Sequence, residues 1–179
     1  MEFFQKMKTT AKSPPRASLS EILLSWAGGI IGISTLAFLN DHFMAGTGRV
    51  LLIASFGASA VLIFGAIKSP LSQPRHLVGG HIISAIVGVT VFKLMPSSYM
   101  WLSAGIAVGT AIGVMHATKT LHPPGGATAL IAVVGGAKIH ELGYYYVLMP
   151  AGAGAIIFLV IALIFNNIPK TRRYPEYWL

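Results

Sequence analysis

Five apolar runs, Ile22 to Leu39, Val50 to Ile67, Leu77 to Met95, Trp101 to Thr118 and Leu142 to Asn166, each approach the length a helix needs to cross hydrocarbon. A chain of 179 residues that carries five such runs has little left for a soluble domain. Charge agrees: 10% of the residues are charged and 54% hydrophobic, too little charge to clothe a water-exposed surface. A sixth run, Gly125 to Ile139, is apolar but short, and His122-Pro123-Pro124 precedes it, so it reads as a re-entrant half-helix or a broken span. The expected fold is all-α and polytopic.

Basic residues choose between five crossings and six, because short loops rich in Lys and Arg stay on the cytoplasmic side. With six crossings and a cytoplasmic N-terminus, the inner segments hold Lys6, Lys8, Lys12, Arg16, Lys68, Arg75, Lys119, Lys170, Arg172 and Arg173. The outer ones hold Arg49, Lys93 and Lys138. Five crossings would strand the basic tail outside. Six are therefore expected, with a basic cytoplasmic segment over 1–20, one transmembrane domain over 21–168 and a basic cytoplasmic tail over 169–179. The same placement accounts for the net charge of +8 as membrane-end anchoring rather than nucleic-acid binding. With no cysteine, disulfides, thiolate metal sites and cysteine nucleophiles are excluded.

The halves resemble each other. Gly57-Ala58-Ser59-Ala60 in the second run matches Gly126-Ala127-Thr128-Ala129 in the short one, and Ala27-Gly28 with Gly32 matches Ala104-Gly105 with Gly109. Gly79-Gly80-His81 pairs loosely with Gly152-Ala153-Gly154. Repeats of about 21–96 and 100–168, each an odd number of crossings, must enter the membrane from opposite sides, so a 3+3 inverted repeat with a broken or short fifth helix is expected. The alternative is chance recurrence of small residues that let helices approach closely.

Within Leu121-His122-Pro123-Pro124-Gly125-Gly126-Ala127-Thr128, two prolines remove backbone donors and two glycines loosen the chain, which breaks a helix. A helix restarting near Gly125 would aim N–H groups and its positive dipole end into the membrane, an anion site without a buried cation. Gly57-Ala58-Ser59 would set a second hydroxyl-bearing surface opposite; packing, or back-bonding of Ser59 and Thr128 to their own helices, is the alternative. Arg75, in the segment joining the second and third runs, attracts oxyanions or simply anchors the loop. His81 lies inside a span, where an ionisable side chain marks either function or a neutral packed histidine. His116 and His122 are weaker candidates of the same kind, and His42 and His140 read as loop residues.

No Asp or Glu falls within a span, which disfavours a cation substrate and leaves an anion or a neutral solute. It also disfavours an intramembrane hydrolase, since nothing acidic orients a histidine beside a serine. The histidine spacings do not follow the helical metal pattern, and no cofactor is expected.

The segment His122 to Ala129, together with Ser69 to His81, resembles the HPP family of small integral membrane proteins over roughly Leu24 to Asn166. Members in cyanobacteria and plant chloroplasts are associated with nitrite transport, so the resemblance implies nitrite here. No transit peptide precedes the first run, which points to a bacterial cytoplasmic membrane. The expected function is a carrier or channel for a small monovalent anion, lipid-embedded and, given its small size, self-associating. Gly57, Ala58, Ser59, Arg75, His81, His122, Gly125, Gly126, Ala127 and Thr128 would bind it, with Pro123 and Pro124 breaking the helix. The alternative is a membrane enzyme, or an accessory or scaffold subunit, that uses intramembrane histidines.

Overall fold

The computed structural model describes residues 2–179, and these contain helices and no strand. After a short α1 (Glu2–Gln5) come α2 (Leu19–Phe43), α3 (Ser55–Ala60, continued to Gly65 by a wider π turn), α4 (Pro74–Leu94) and α5 (Met100–Ala117). Then follow α6 (Pro123–Val134), α7 (Ala137–Leu142) and α8 (Ala153–Asn167), the last preceded by a π turn over Val147–Gly152. Four helical stretches, Leu19–Phe43, Pro74–Leu94, Ser97–Ala117 and Val147–Asn167, are long and apolar enough to cross a membrane. Local chemistry sets their starts. Ser18 caps α2 by accepting the Glu21 N–H at 3.2 Å, and prolines open α4 and α6, where their missing donors cost nothing.

The fifth segment is short, as the sequence predicts, but so is the second. Helix occupies Ser55–Gly65 instead of the whole of Val50 to Ile67. The Asn40 side chain accepts the N–H groups of Leu51 (2.9 Å) and Leu52 (3.3 Å), giving them a partner other than a helical carbonyl. Helices α2, α3 and α4 therefore run long, short, long.

Contacts fix the direction of each segment. Leu51 meets Asn40, and the Ser25 hydroxyl donates to the Phe64 carbonyl at 2.9 Å, so the stretch 51–64 runs antiparallel to α2. The fifteen residues from Ser25 to Asn40 rise about 22 Å, most of the ~30 Å hydrocarbon layer. α8 lies alongside α3 in the same direction, with Gly154 against Phe56 and the Asn166 amide donating to the Ile63 carbonyl. α4 and α6 are likewise parallel, Gly80 meeting His122 and Gly88 meeting Ala129. The stretch that begins beside Arg75, whose guanidinium donates to the Thr118 carbonyl, reaches His140, stacked on Phe92 at 3.8 Å, at the far end of α4. Glu21, Lys68, Arg75 and Arg172 thus share one end of the bundle, and Arg49, Lys93 and Lys138 the other.

Glycines set how closely the helices approach. A Cβ on Gly28 would meet the Phe64 and Phe165 rings at 2.6 and 2.9 Å, and one on Gly32 the Phe158 and Phe64 rings at 2.6 and 2.7 Å. These aromatic rings interlock edge to face and fill the α2, α3, α8 side of the core. Gly105 and Gly109 have nothing within 4 Å, so the match between the first and fourth runs does not carry a shared packing role. Outward faces are apolar, with Leu23, Trp26, Ile30, Trp101, Ile112, Leu148 and Ile164 all exposed.

The tail is docked, and Arg172 does more than anchor a membrane end. Its side chain is 1% exposed and holds the Glu21 carboxylate at 2.8 Å, Asn166 Oδ1 at 3.0 Å and the Ser25 hydroxyl at 3.0 Å. A guanidinium can be buried here because its fork finds an acceptor on each side.

Candidate functional site

Four side chains that the sequence singles out meet in the interior. Ser59 on α3, His81 on α4, His122 just before α6 and Thr128 on α6 are all fully buried. Ser59 Oγ lies 2.8 Å from His81 Nε2 and 2.9 Å from His122 Nε2. His81 Nδ1 lies 2.7 Å from Thr128 Oγ1, which is also 2.9 Å from Ser55 Oγ and 3.2 Å from the Pro124 carbonyl. The two imidazoles sit edge to face at 5.1 Å, and the Phe56 ring leans on His81 at 4.9 Å.

Each partner arrives for a local reason. Ser55 and Ser59 are four residues apart and so share a face of α3; Pro124 and Thr128 stand in the same relation on α6. Gly80 lets His122 approach α4, since a Cβ there would overlap the histidine's own Cβ and come within 2.9 Å of the Thr120 carbonyl oxygen.

His122 Nδ1 faces the Leu71 carbonyl at 2.8 Å, and a carbonyl only accepts, so that nitrogen carries the proton. The Leu71 loop is itself pinned. The Ser72 hydroxyl donates towards the Ala66 and Leu62 carbonyls, and Gln73 donates to the Ile67 and Ser69 carbonyls. The Tyr174 hydroxyl donates to the Ser72 carbonyl at 2.6 Å, and burial pushes that hydroxyl's pKa up, which keeps it a donor. Among the described residues no buried side-chain nitrogen or oxygen lacks a partner.

The remaining selected residues lie elsewhere. Arg75, half-buried, ties α4 to the end of α5 through Thr118. Gly57 and Ala58 are exposed, and Gly126 and Ala127 line an apolar groove between α5 and α6. The backbone donors expected to face an anion are largely engaged. Pro123 and Pro124 have none, the Gly125 N–H bonds the His122 carbonyl at 2.7 Å, and the Gly57 N–H bonds the Ala54 carbonyl at 3.1 Å. Side chains, not helix N-termini, supply the interior polar groups. His116 is exposed, His42 stacks on Phe38 at the surface, and His140 bonds the Val133 carbonyl.

The sequence reading misses Ser55, Tyr146 and Arg172. Ser55 is legible in its four-residue spacing from Ser59. Tyr146, whose buried hydroxyl donates to the Thr128 carbonyl at 3.0 Å, reaches the cluster only through the fold.

A family model described as the HPP transmembrane region matches residues 14–175. A transmembrane protein of Dictyostelium discoideum is 46% identical over 180 residues, covering 99% of this chain and 58% of its own length. A second from the same organism is 41% identical over 182 residues, covering 99% of this chain and 64% of its own length. The chain thus spans about three fifths of the curated relatives it matches. No solved structure matches it. With the model covering almost all of its length, the chain belongs to the HPP family of transmembrane proteins.

Proposed function

We propose that this chain is a carrier or channel for a small monovalent anion, nitrite first, and that Ser59, His81, His122 and Thr128 meet the anion. The observation that carries this reading is a buried cluster of hydroxyl and imidazole groups inside an apolar bundle, with no carboxylate among their hydrogen-bond partners. Imidazole N–H and hydroxyl O–H groups donate to oxyanion oxygens, whereas a cation would call for acidic ligands. The nitrite transport that the HPP resemblance implies supports the substrate.

We read the six segments as six crossings in an inverted repeat, both ends cytoplasmic. Three features support this. The long, short, long order occurs twice; α2 packs on α3 and α8 as α5 packs on α6 and α4; and α3 meets α6 as α4 meets α8. Basic residues crowd the end that holds Glu21 and Arg172. The site is closed in the conformation described, between a cavity of about 510 Å³ lined by Lys68 and Arg172 at one end and one of about 380 Å³ lined by Arg49 and Lys138 at the other. A cytoplasmic membrane fits this orientation, and the Dictyostelium relatives mean that the family is not confined to bacteria.

One observation favours the enzyme or accessory reading: a lateral groove of about 500 Å³ between α5 and α6, flanked by Leu121, Pro123 and His116. Its walls are apolar, and His122 is turned away from it towards Ser59 and Leu71.

Sodium nitrite titrated into the detergent-purified protein tests the carrier reading. A ligand at a hundredfold excess over its Kd stabilises the native state by about 2.7 kcal/mol. Nitrite is expected to raise the melting temperature more than chloride, bicarbonate, nitrate or formate; no rise with any of them contradicts the proposal.

A further inference from the structure

Counting protons around the cluster separates the roles of its two histidines. His122 holds its Nδ1 proton on the Leu71 carbonyl, so in the neutral ring Nε2 is bare and needs a donor. The donor in reach is Ser59, which has one proton. Ser59 must then accept from His81, so His81 Nε2 carries a proton and Nδ1 is bare. Thr128 supplies the last hydrogen bond by turning its one hydroxyl proton onto His81 Nδ1 and away from Ser55 Oγ and the Pro124 carbonyl, its other acceptors. One arrangement thus gives every ring nitrogen of the neutral cluster a partner, a directed chain from Thr128 through His81, Ser59 and His122 to Leu71.

An added proton has one place to go without breaking that chain. On His81 Nδ1 it forms a new N–H that donates to Thr128 Oγ1, and the threonine's own proton swings onto Ser55 Oγ at 2.9 Å or the Pro124 carbonyl at 3.2 Å. Every contact of the chain stays hydrogen-bonded, the one between His81 and Thr128 with its direction reversed, and the cluster gains one positive charge. On His122 Nε2 the added proton would aim two N–H groups at Ser59 and leave its hydroxyl proton without an acceptor.

We propose, resting on the carrier reading above, that His81 takes up one proton with each anion transported, and that His122, besides meeting the anion, sets the direction of the chain. The anion neutralises the charge that His81 acquires, so the loaded cluster is neutral overall. The groups that face His81 are compatible with this. α6 and the residue before it bring Thr128 and His122, and His122 has His76 as a further titratable neighbour. α3 brings Ser55, Phe56 and Ser59, and the stretch before α8 brings Tyr146 onto the Thr128 carbonyl. α5, on the other side of α4, offers Met115 to Ser84 and turns His116 outward. None of these is a carboxylate, so the compensating charge comes from the substrate.

The test uses the full chain in liposomes that enclose a pH-reporting dye, with sodium nitrite added outside and protein-free liposomes as the baseline. The expected result is nitrite uptake with one proton per anion and no response to membrane voltage. In His81→Gln, whatever nitrite uptake remains is expected to carry no proton, and in His122→Gln the one-to-one ratio is expected to persist at a lower rate. Nitrite uptake driven by voltage without proton entry overturns proton coupling and leaves the carrier reading standing; absence of any uptake overturns both. Coupling retained in His81→Gln also overturns the assignment. Should both variants fail to fold, the wild-type ratio and its voltage response decide the question.

Discussion

Gly88→Val is expected to leave little folded protein. A Cβ at this position would lie 2.6 Å from the Ala129 carbonyl oxygen and 2.8 Å from its Cα, backbone atoms that no rotamer change can move. α4 and α6 would have to separate, and their separation pulls His81 from Thr128 and Gly80 from His122. Overpacking of this kind costs about 3 kcal/mol, a large share of a membrane protein's margin. The check is a monodisperse peak and a melting curve in detergent. Gly105→Val, where nothing lies within 4 Å, is the control and is expected to leave both unchanged.

The second large effect falls on transport. His81→Ala removes the ring that joins Ser59 to Thr128, and anion flux through reconstituted protein is expected to fall at least about tenfold, the worth of one hydrogen bond to a charged partner. Thr128→Val is expected to produce a similar loss, and the double variant little more than either alone, since the two side chains act through one contact. His42→Ala, at the exposed end of α2, is expected to transport normally. Additive losses in the double variant would separate the two residues.

Much of the fold is legible in the chain because a bilayer imposes few choices. Apolar length located the four long helices to within a few residues, and Pro123-Pro124 announced the short α6. The short α3 is hidden in the sequence because Val50 to Ile53 is as apolar as a helix; its departure depends on Asn40, a side chain from the last turn of α2. Ser59, His81, His122 and Thr128 stand out by type, being polar groups inside apolar runs. Their meeting does not, because it depends on Gly80 and Gly88 letting α4 and α6 touch. At the expected anion site the prolines that break the helix bring no donors of their own, and the Gly125 N–H is held by the His122 carbonyl. Arg172 looks like surface charge in the sequence because a tail position says nothing about Glu21, Ser25 and Asn166, which converge on it from elsewhere in the chain.

Isotope-labelled nitrite uptake into liposomes that hold the purified chain measures anion transport through this bundle directly. The account predicts saturable uptake above the protein-free baseline that is lost in His81→Ala; no passage of nitrite, nitrate or formate under either a pH or a voltage gradient would contradict it.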